Sequence, residues 1–389
     1  TRKYSNEFLQ IGIGSRAFGM AGSVVASTND VTSGYWNPAG LMNMKSESQA
    51  SLMHSEYFSG IAKYDYAGFS TFIADNTAVI GASLIRFGVD DIPDTSELID
   101  ADGNINYDRV KSFSAADYAF LFSYARSKRK ANENGLSYGA NIKIIHRKVG
   151  EYGKSWGFGI DIGAQYRYKK FTFAAVGRDI TTTFNAWSYN PDKFSSIYTA
   201  TGNDIPENST ETTLPRIVLG VAYDAIITDK IGLTTEANLN LTTDGKRNVL
   251  VSADPVSIDP TIGVEANYKK IIFLRSGVGN IQKSTDFDGT QKFGFQPNLG
   301  LDLRSILFEH ITTENLVGVQ NAIMDKFEFW LPFVEVRNIE VLSRDDTTDI
   351  AANEIRVKIL FNIKQDPNTL DSVTLDFSSD TSESENIEY

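Results

Sequence analysis

The chain has 389 residues, 49 Asp and Glu against 37 Lys and Arg, a formal net charge of -12 and no cysteine. This excludes disulfides, thiolate metal sites and Cys nucleophiles, and with no basic patch to neutralise phosphates it argues against a nucleic-acid partner. Mean hydropathy is -0.23. No apolar run is long enough for a membrane-spanning helix, yet a β-barrel escapes that test because its apolar residues alternate with polar ones.

The chain opens at Thr1 rather than Met, which reads as the end left by removal of a secretory signal. Residues 1–47 carry no strand alternation. Phe8–Gly22 is rich in small residues and suits tight packing inside something larger. Gly12, Gly14 and Ala17 match the loose dinucleotide fingerprint, but no βαβ unit surrounds them and no acidic residue follows on a second strand. They read as glycines for close packing.

From residue 48 the pattern changes. Leu136, Tyr138, Ala140, Ile142 and Ile144 alternate with Ser137, Gly139, Asn141 and Lys143; Trp156 to Tyr168 resumes the alternation with Gly, Asp, Gln and Arg between. Side chains of a strand point to opposite faces with period two, so each run has one apolar and one polar face. Runs of about ten residues, with aromatics near their ends, fit strands with lipid outside and a polar lumen inside. The same reading gives strands near 49–57, 62–72, 77–88, 114–125, 136–147, 156–168, 171–179, 216–224, 231–241, 261–268, 271–279 and 293–303. Tight turns at 74–76, 168–170, 226–230 and 268–270 alternate with long polar links at 89–113, 180–215, 242–260 and 280–292. Short periplasmic turns and long extracellular loops are the habit of outer-membrane barrels.

The polar face carries Asp117, Lys143, Asp161, Arg167, Asp224, Glu236, Glu265 and Arg275, expected to line the lumen as a salt-bridged network. Tyr64, Tyr66, Tyr118, Tyr124, Trp156, Tyr166 and Tyr168 are expected at the membrane interfaces. His54, His146 and His310 lie on separate elements without metal-ligand spacing. Asp100, Asp102 and Asn104 match the start of an EF-hand loop, but Ile105 replaces the turn glycine and Lys111 the closing Glu. No metal site, cofactor or catalytic residue is predicted.

The words Arg16-Ala-Phe-Gly-Met20 and Trp36-Asn-Pro-Ala-Gly40 resemble the N-terminal hatch of the PorV/PorQ proteins, relatives of the FadL-type outer-membrane barrels. Ile85–Val89, Phe113–Asp117, Asn185–Trp187, Asp244–Asn248 and Leu274–Gly279 extend the resemblance to about residue 300. It implies a hatch over 1–47, with Arg16, Gly19, Met20, Asn37, Pro38, Ala39 and Gly40 as its motif, folded into a fourteen-stranded barrel. It also implies a role in type IX protein secretion, through binding of a translocon or secreted cargo. The wider FadL resemblance implies instead a channel for hydrophobic small molecules.

By alternation alone the barrel has twelve strands, over 48–303, and leaves the chain on the periplasmic side. Thr312–Trp330 then has the apolar spacing of an amphipathic helix, with Pro332 beyond it. Strand-like runs follow at 334–343, 354–364 and 372–378, and 379–389 reads as an acidic disordered tail. Phe295–Glu309, with Asp366–Asp371 and Val373–Phe377, resembles the wedge protein of contractile phage baseplates, and Leu331-Pro332-Phe333 departs from that family's pattern. This resemblance implies a small α+β domain at 304–380 that docks with a larger assembly. A natural fusion, a barrel closed by another chain and an artificial join all remain open. The expected class is mainly β: a transmembrane antiparallel β-barrel of twelve to fourteen strands with an N-terminal luminal hatch and a small C-terminal α+β domain. It is expected to be non-enzymatic and in contact with outer-membrane lipid.

Overall fold

The computed structural model describes residues 5–58, 60–99, 104–127, 133–193, 207–285, 291–303, 334–342, 354–363 and 366–378. Contacts divide the chain into two units, Thr1–Asn267 with Leu274–Leu301, and Tyr268–Phe273 with Asp302–Tyr389.

The first unit is built on an antiparallel meander. Its strands are β1 (Ser48–Tyr57), β2 (Ala62–Ile73), β3 (Ala78–Asp94), β4 (Lys111–Ser127), β5 (Gly135–Val149), β6 (Gly153–Tyr168), β7 (Phe171–Arg178), β8 (Thr183–Tyr189), β9 (Ser209–Thr213), β10 (Arg216–Thr228), β11 (Ile231–Thr242), β12 (Ser257–Tyr268), β13 (Ile272–Thr285) and β14 (Gln291–Leu303). They follow one another in sheet order, except that β8 and β9 leave the main path: β8 pairs with β6 and β9, while β7 pairs with β10.

The faces are reversed relative to a water-soluble sandwich. On β5 Leu136, Tyr138 and Ile142 are exposed while Ser137, Asn141 and Lys143 are buried; on β6 Trp156, Phe158 and Ile162 are exposed while Ser155, Asp161 and Gln165 are buried. Ile142 is 49% exposed and Lys143 beside it 3%. Apolar side chains that face outward along neighbouring strands need lipid, so this wall is the wall of a membrane barrel.

Residues 5–47 fill the inside and meet the wall strand by strand. The Gly19 and Gly300 Cα atoms lie close enough that a Cβ on Gly19 would meet Gly300 at 3.1 Å, and a Cβ on Gly277 of β13 would meet Met20 at 2.4 Å. Ser23 Oγ reaches Thr261 Oγ1 of β12 at 2.8 Å. Ala26 and Ser27 reach Glu236 of β11, and Asn37 Nδ2 donates to Ala164 O of β6. Asn141 of β5 donates to Gly34 O, and Gln49 of β1 accepts from Val31 N. One short segment in contact with β14 through to β1 requires a wall curved around it.

Two strands of that wall are broken at the same level. β7 pairs with the lower half of β6, ending near Ile162↔Gly177, and β8 resumes on the upper half at Phe158↔Phe184. Between them Asp179 and Thr182 take left-handed φ of 55 and 58, while Ile180 N donates to Ile160 O at 3.0 Å. Opposite, Leu214 and Pro215 separate β9, which pairs with β8, from β10, which pairs with β7. Pro215 has no N–H to give a ladder.

β8 and β9 lie inside the segment read as a long link at 180–215, which corrects that reading. β3 and β4 also run beyond 77–88 and 114–125. Tyr64 and Tyr66 are a second correction. They are 0% and 2% exposed, packed with Phe8, Leu9, Ile13 and Tyr35 rather than placed at a membrane interface. Tyr124, Trp156, Tyr166 and Tyr168 do face outward.

The second unit contains β15 (Val334–Leu342), β16 (Glu354–Ile363) and β17 (Asp366–Ser378) in an antiparallel sheet of that order. The helix expected at 312–330, His310, the tail at 379–389 and the residues 100–103 of the EF-hand-like fragment lie outside the described residues.

Candidate functional site

The candidate site is the hatch and its seat. The hatch has four short helical turns: η1 (Glu7–Gln10), α1 (Ser15–Gly19), α2 (Ser33–Trp36) and η2 (Pro38–Asn43). Asn37 is extended between α2 and η2, and its side chain caps η2 by accepting from Ala39 N at 3.1 Å. Pro38 follows at the first helical position, where a missing N–H costs nothing. The Asn37 amide also donates to Val25 O at 2.9 Å and to Ala164 O at 3.3 Å.

This Asn37-Pro38-Ala39 corner sits on two glycines that face one another across β5 and β6, Gly139 and Gly163. A Cβ on Gly139 would lie 2.8 Å from Pro38 C and 2.9 Å from Ala39 N; one on Gly163 would lie 2.1 Å from Asn37 Oδ1. Wall glycines therefore make the seat, and any side chain there would lift the corner. Gly40 turns against Thr28 and Ser33, where a Cβ would come within 2.6 Å of Thr28 Cγ2.

Arg16 holds the other side. Its Nε donates to Glu265 Oε2 at 3.0 Å, and its terminal nitrogens donate to Ser27 O and Ser27 Oγ. Arg275 Nε donates to the same Glu265 oxygen at 2.6 Å. Burial works against the Arg16 charge, but the adjacent Glu265 carboxylate outweighs it and holds the guanidinium pKa above its usual value. Gly19 packs on the Arg275 stem and Gly300, and Met20 fills the space left by Gly263 and Gly277. Glu236 accepts from Ala26 N at 2.8 Å and Ser27 N at 2.9 Å, so its carboxylate closes a backbone turn of the hatch.

The remaining polar residues predicted from alternation meet in small clusters. Lys143 donates to Asp161 at 3.0 Å and to Asp179 at 2.5 Å, tying β5 and β6 to the residues after β7. Arg147 donates to Asp117 at 2.9 Å and Glu211 at 3.3 Å, and lies over the Trp187 ring at 5.2 Å. Arg167 faces Asp224 at 3.5 Å. Sequence reasoning missed Asp179, the last residue of the expected 171–179 run, and Glu211, which falls in the segment read as a link. It also missed Gly139 and Gly163 as a seat, since a glycine on a polar face looks the same whether or not a chain rests on it.

Among the described residues, several cavities border the hatch. At the end of the wall that carries the long links, a cavity of about 350 Å³ lies between Phe8, Ile11 and Phe87 and the Asp117–Arg147–Glu211 group. A polar one of about 80 Å³ lies beside Arg16, Ser27, Arg167 and Asp224. A third, of about 40 Å³, lies beside Tyr35, Arg178 and Arg216. Among the described residues no three His, Asp or Glu side chains converge as a metal site.

No known protein family matches the sequence, and no curated protein does. Among solved structures the chain is similar to a FadL homologue of Pseudomonas aeruginosa, at 11% identity and a TM-score of 0.38, covering 68% of this chain and 79% of that one. It is similar to the Pseudomonas putida toluene transporter TodX, at 11% identity and a TM-score of 0.40 over 69% and 83% of the two chains. The CymD monoaromatic hydrocarbon channel follows at 12% identity and a TM-score of 0.40 over 94% and 92%. Neither the PorV/PorQ proteins nor a baseplate wedge protein is among these structures. The barrel assignment itself stands on the outward apolar face and on the enclosed hatch.

Proposed function

We propose that the chain is a bacterial outer-membrane protein in which the hatch gates the passage of hydrophobic small molecules through the barrel. The carrying observation is the open recess of about 350 Å³, whose apolar side is made by hatch residues Phe8 and Ile11 with Phe87 of the wall and whose polar side is made by Asp117, Arg147 and Glu211. That volume is in the range of small-molecule sites. A molecule seated there touches the hatch directly, so its binding and the position of the hatch are thermodynamically coupled. Passage of hydrophobic compounds is what the names of two similar structures describe for those proteins; here the cavity carries the reading. Two observations test it together: uptake of an apolar fluorescent probe into proteoliposomes, and extraction of small molecules from the protein purified in mild detergent. Uptake no faster than into empty liposomes, with nothing extracted, would refute it.

A second reading has its own support. The hatch is tied to β6, β11 and β12 by Asn37, Glu236 and Glu265, and a barrel that stays occluded acts through its surface. The resemblance of Arg16–Met20 then favours a non-enzymatic role in type IX secretion, with a translocon or secreted cargo as partner. Affinity purification from outer membranes followed by mass spectrometry separates the two. Recovery of a large translocon or cargo supports secretion; recovery of the barrel with lipid alone counts against it. The C-terminal part, 304–380, is proposed as a periplasmic docking module, and recovery of peptides spanning 293–320 would support one continuous chain.

A further inference from the structure

Arg178 closes β7 and Arg216 opens β10, and the two are direct partners in the antiparallel ladder. Both belong to the inward face, with Val176 and Val218 buried two residues away on each strand. Like charges at directly opposed positions destabilise a sheet. Asp161 and Asp179 act on the pair electrostatically, as Asp259 does on Arg216, but none of them forms an ion pair with either arginine. The Arg178 guanidinium lies over the rings of Tyr35 at 4.7 Å and Trp36 at 5.6 Å. It is 7% exposed, and its Nε is buried without a hydrogen-bond partner. Arg216 donates to a neutral group, Gln10 Oε1, at 3.0 Å. Among the described residues neither arginine has a carboxylate within ion-pair distance.

Both arginines line the cavity of about 40 Å³ beneath η1. Four carboxylates also border it, and each is engaged elsewhere. Asp161 and Asp179 hold Lys143, while Asp244 and Glu7 hold Arg247. A buried donor without an acceptor and two opposed guanidinia at one cavity are the arrangement that an oxyanion completes, since each guanidinium can offer two parallel N–H groups. The volume exceeds the roughly 10–15 Å³ that one water needs.

We infer that Arg178 and Arg216 form a binding site for a compact oxyanion of the phosphate or sulfate class, which joins the hatch at Gln10 and Tyr35 to the β7–β10 wall. The inference does not depend on whether the barrel passes hydrophobic molecules. The same chemistry could be supplied by the carboxylate end of an amphiphile, and the test separates the two sources.

The full chain in detergent is titrated with inorganic phosphate, and separately with octanoate, at constant ionic strength set by chloride; binding is read by calorimetry and by the temperature of heat-modifiable migration. Phosphate should bind and raise the transition temperature. Arg216→Gln should weaken binding at least tenfold, and Arg216→Lys by less. Lys230→Gln, in the turn before β11, should leave it unchanged. Arg216→Gln is the chosen variant because Arg178 also packs on two aromatic rings, and its loss could unseat the hatch. Binding of octanoate but not phosphate, binding of neither, or equal phosphate binding by Arg216→Gln would each overturn the proposal.

Discussion

Replacing Gly163 by Ala places a Cβ 2.1 Å from Asn37 Oδ1 and 3.0 Å from Pro38 Cδ. Relief can come in two ways. If the Asn37 amide swings away, it gives up its bonds to Ala39 N, Val25 O and Ala164 O, each worth about 1 kcal/mol in a buried setting. If instead the corner lifts off β5 and β6, the repacking costs about 1–3 kcal/mol, the range for an overpacked core. Either route weakens seating of the hatch by about 1–3 kcal/mol, roughly five- to 150-fold in the seated-to-unseated ratio. Limited proteolysis of the purified barrel reads this ratio, because cleavage within residues 5–44 needs an unseated hatch, while the wall stays protected. Gly294→Ala is the control, since a Cβ there meets nothing within 4 Å. The reasoning fails if Gly163→Ala and Gly294→Ala release the N-terminal fragment at the same rate as the unmodified protein.

Two further outcomes are expected. Ile142→Arg, at an exposed position midway along β5, should lower the stability of the membrane-inserted barrel by about 2–4 kcal/mol if it faces lipid; an unchanged urea midpoint in bilayers would put Ile142 on the wrong face. Lys143→Met leaves the buried Asp161 and the half-buried Asp179 without that cation and should destabilise by about 3–5 kcal/mol. The triple variant Lys143→Met, Asp161→Asn, Asp179→Asn should recover much of that loss, and a triple variant as weak as Lys143→Met would show that the charges were not the cause.

How much of this was legible follows from where the wall meets lipid. Inside the bilayer the outward face must be apolar and the inward face polar, so Leu136 to Ile144 and Trp156 to Tyr168 announce their strands. Beyond it the outward face can be anything. β8 therefore passes unnoticed: Trp187 and Asn185 point inward, while Phe184, Ala186 and Ser188 point outward, so no simple alternation survives. The same holds for the end of β3, where Asp90 and Asp91 enter the strand. Tyr64 and Tyr66 misled because a tyrosine near a strand end suits a membrane interface as well as a hatch contact. Only the path of residues 5–35 decides between them. The charged residues of the lumen were readable one by one, but not as pairs. Lys143 needs Asp179, which the broken strand brings back, and Arg147 needs Glu211 from a segment far along the chain.

The central claim, that passage requires the hatch to move, is tested most directly by tethering it. Ser23 Oγ and Thr261 Oγ1 lie 2.8 Å apart, and the chain has no cysteine of its own. Ser23→Cys with Thr261→Cys thus puts two thiols where the hatch and β12 side chains already touch, so that oxidation can join them by a single disulfide. Uptake of an apolar probe into proteoliposomes should stop in the oxidised protein and return on reduction. Uptake at the same rate in both states would contradict a gating hatch, because the probe would then pass with the hatch held in place.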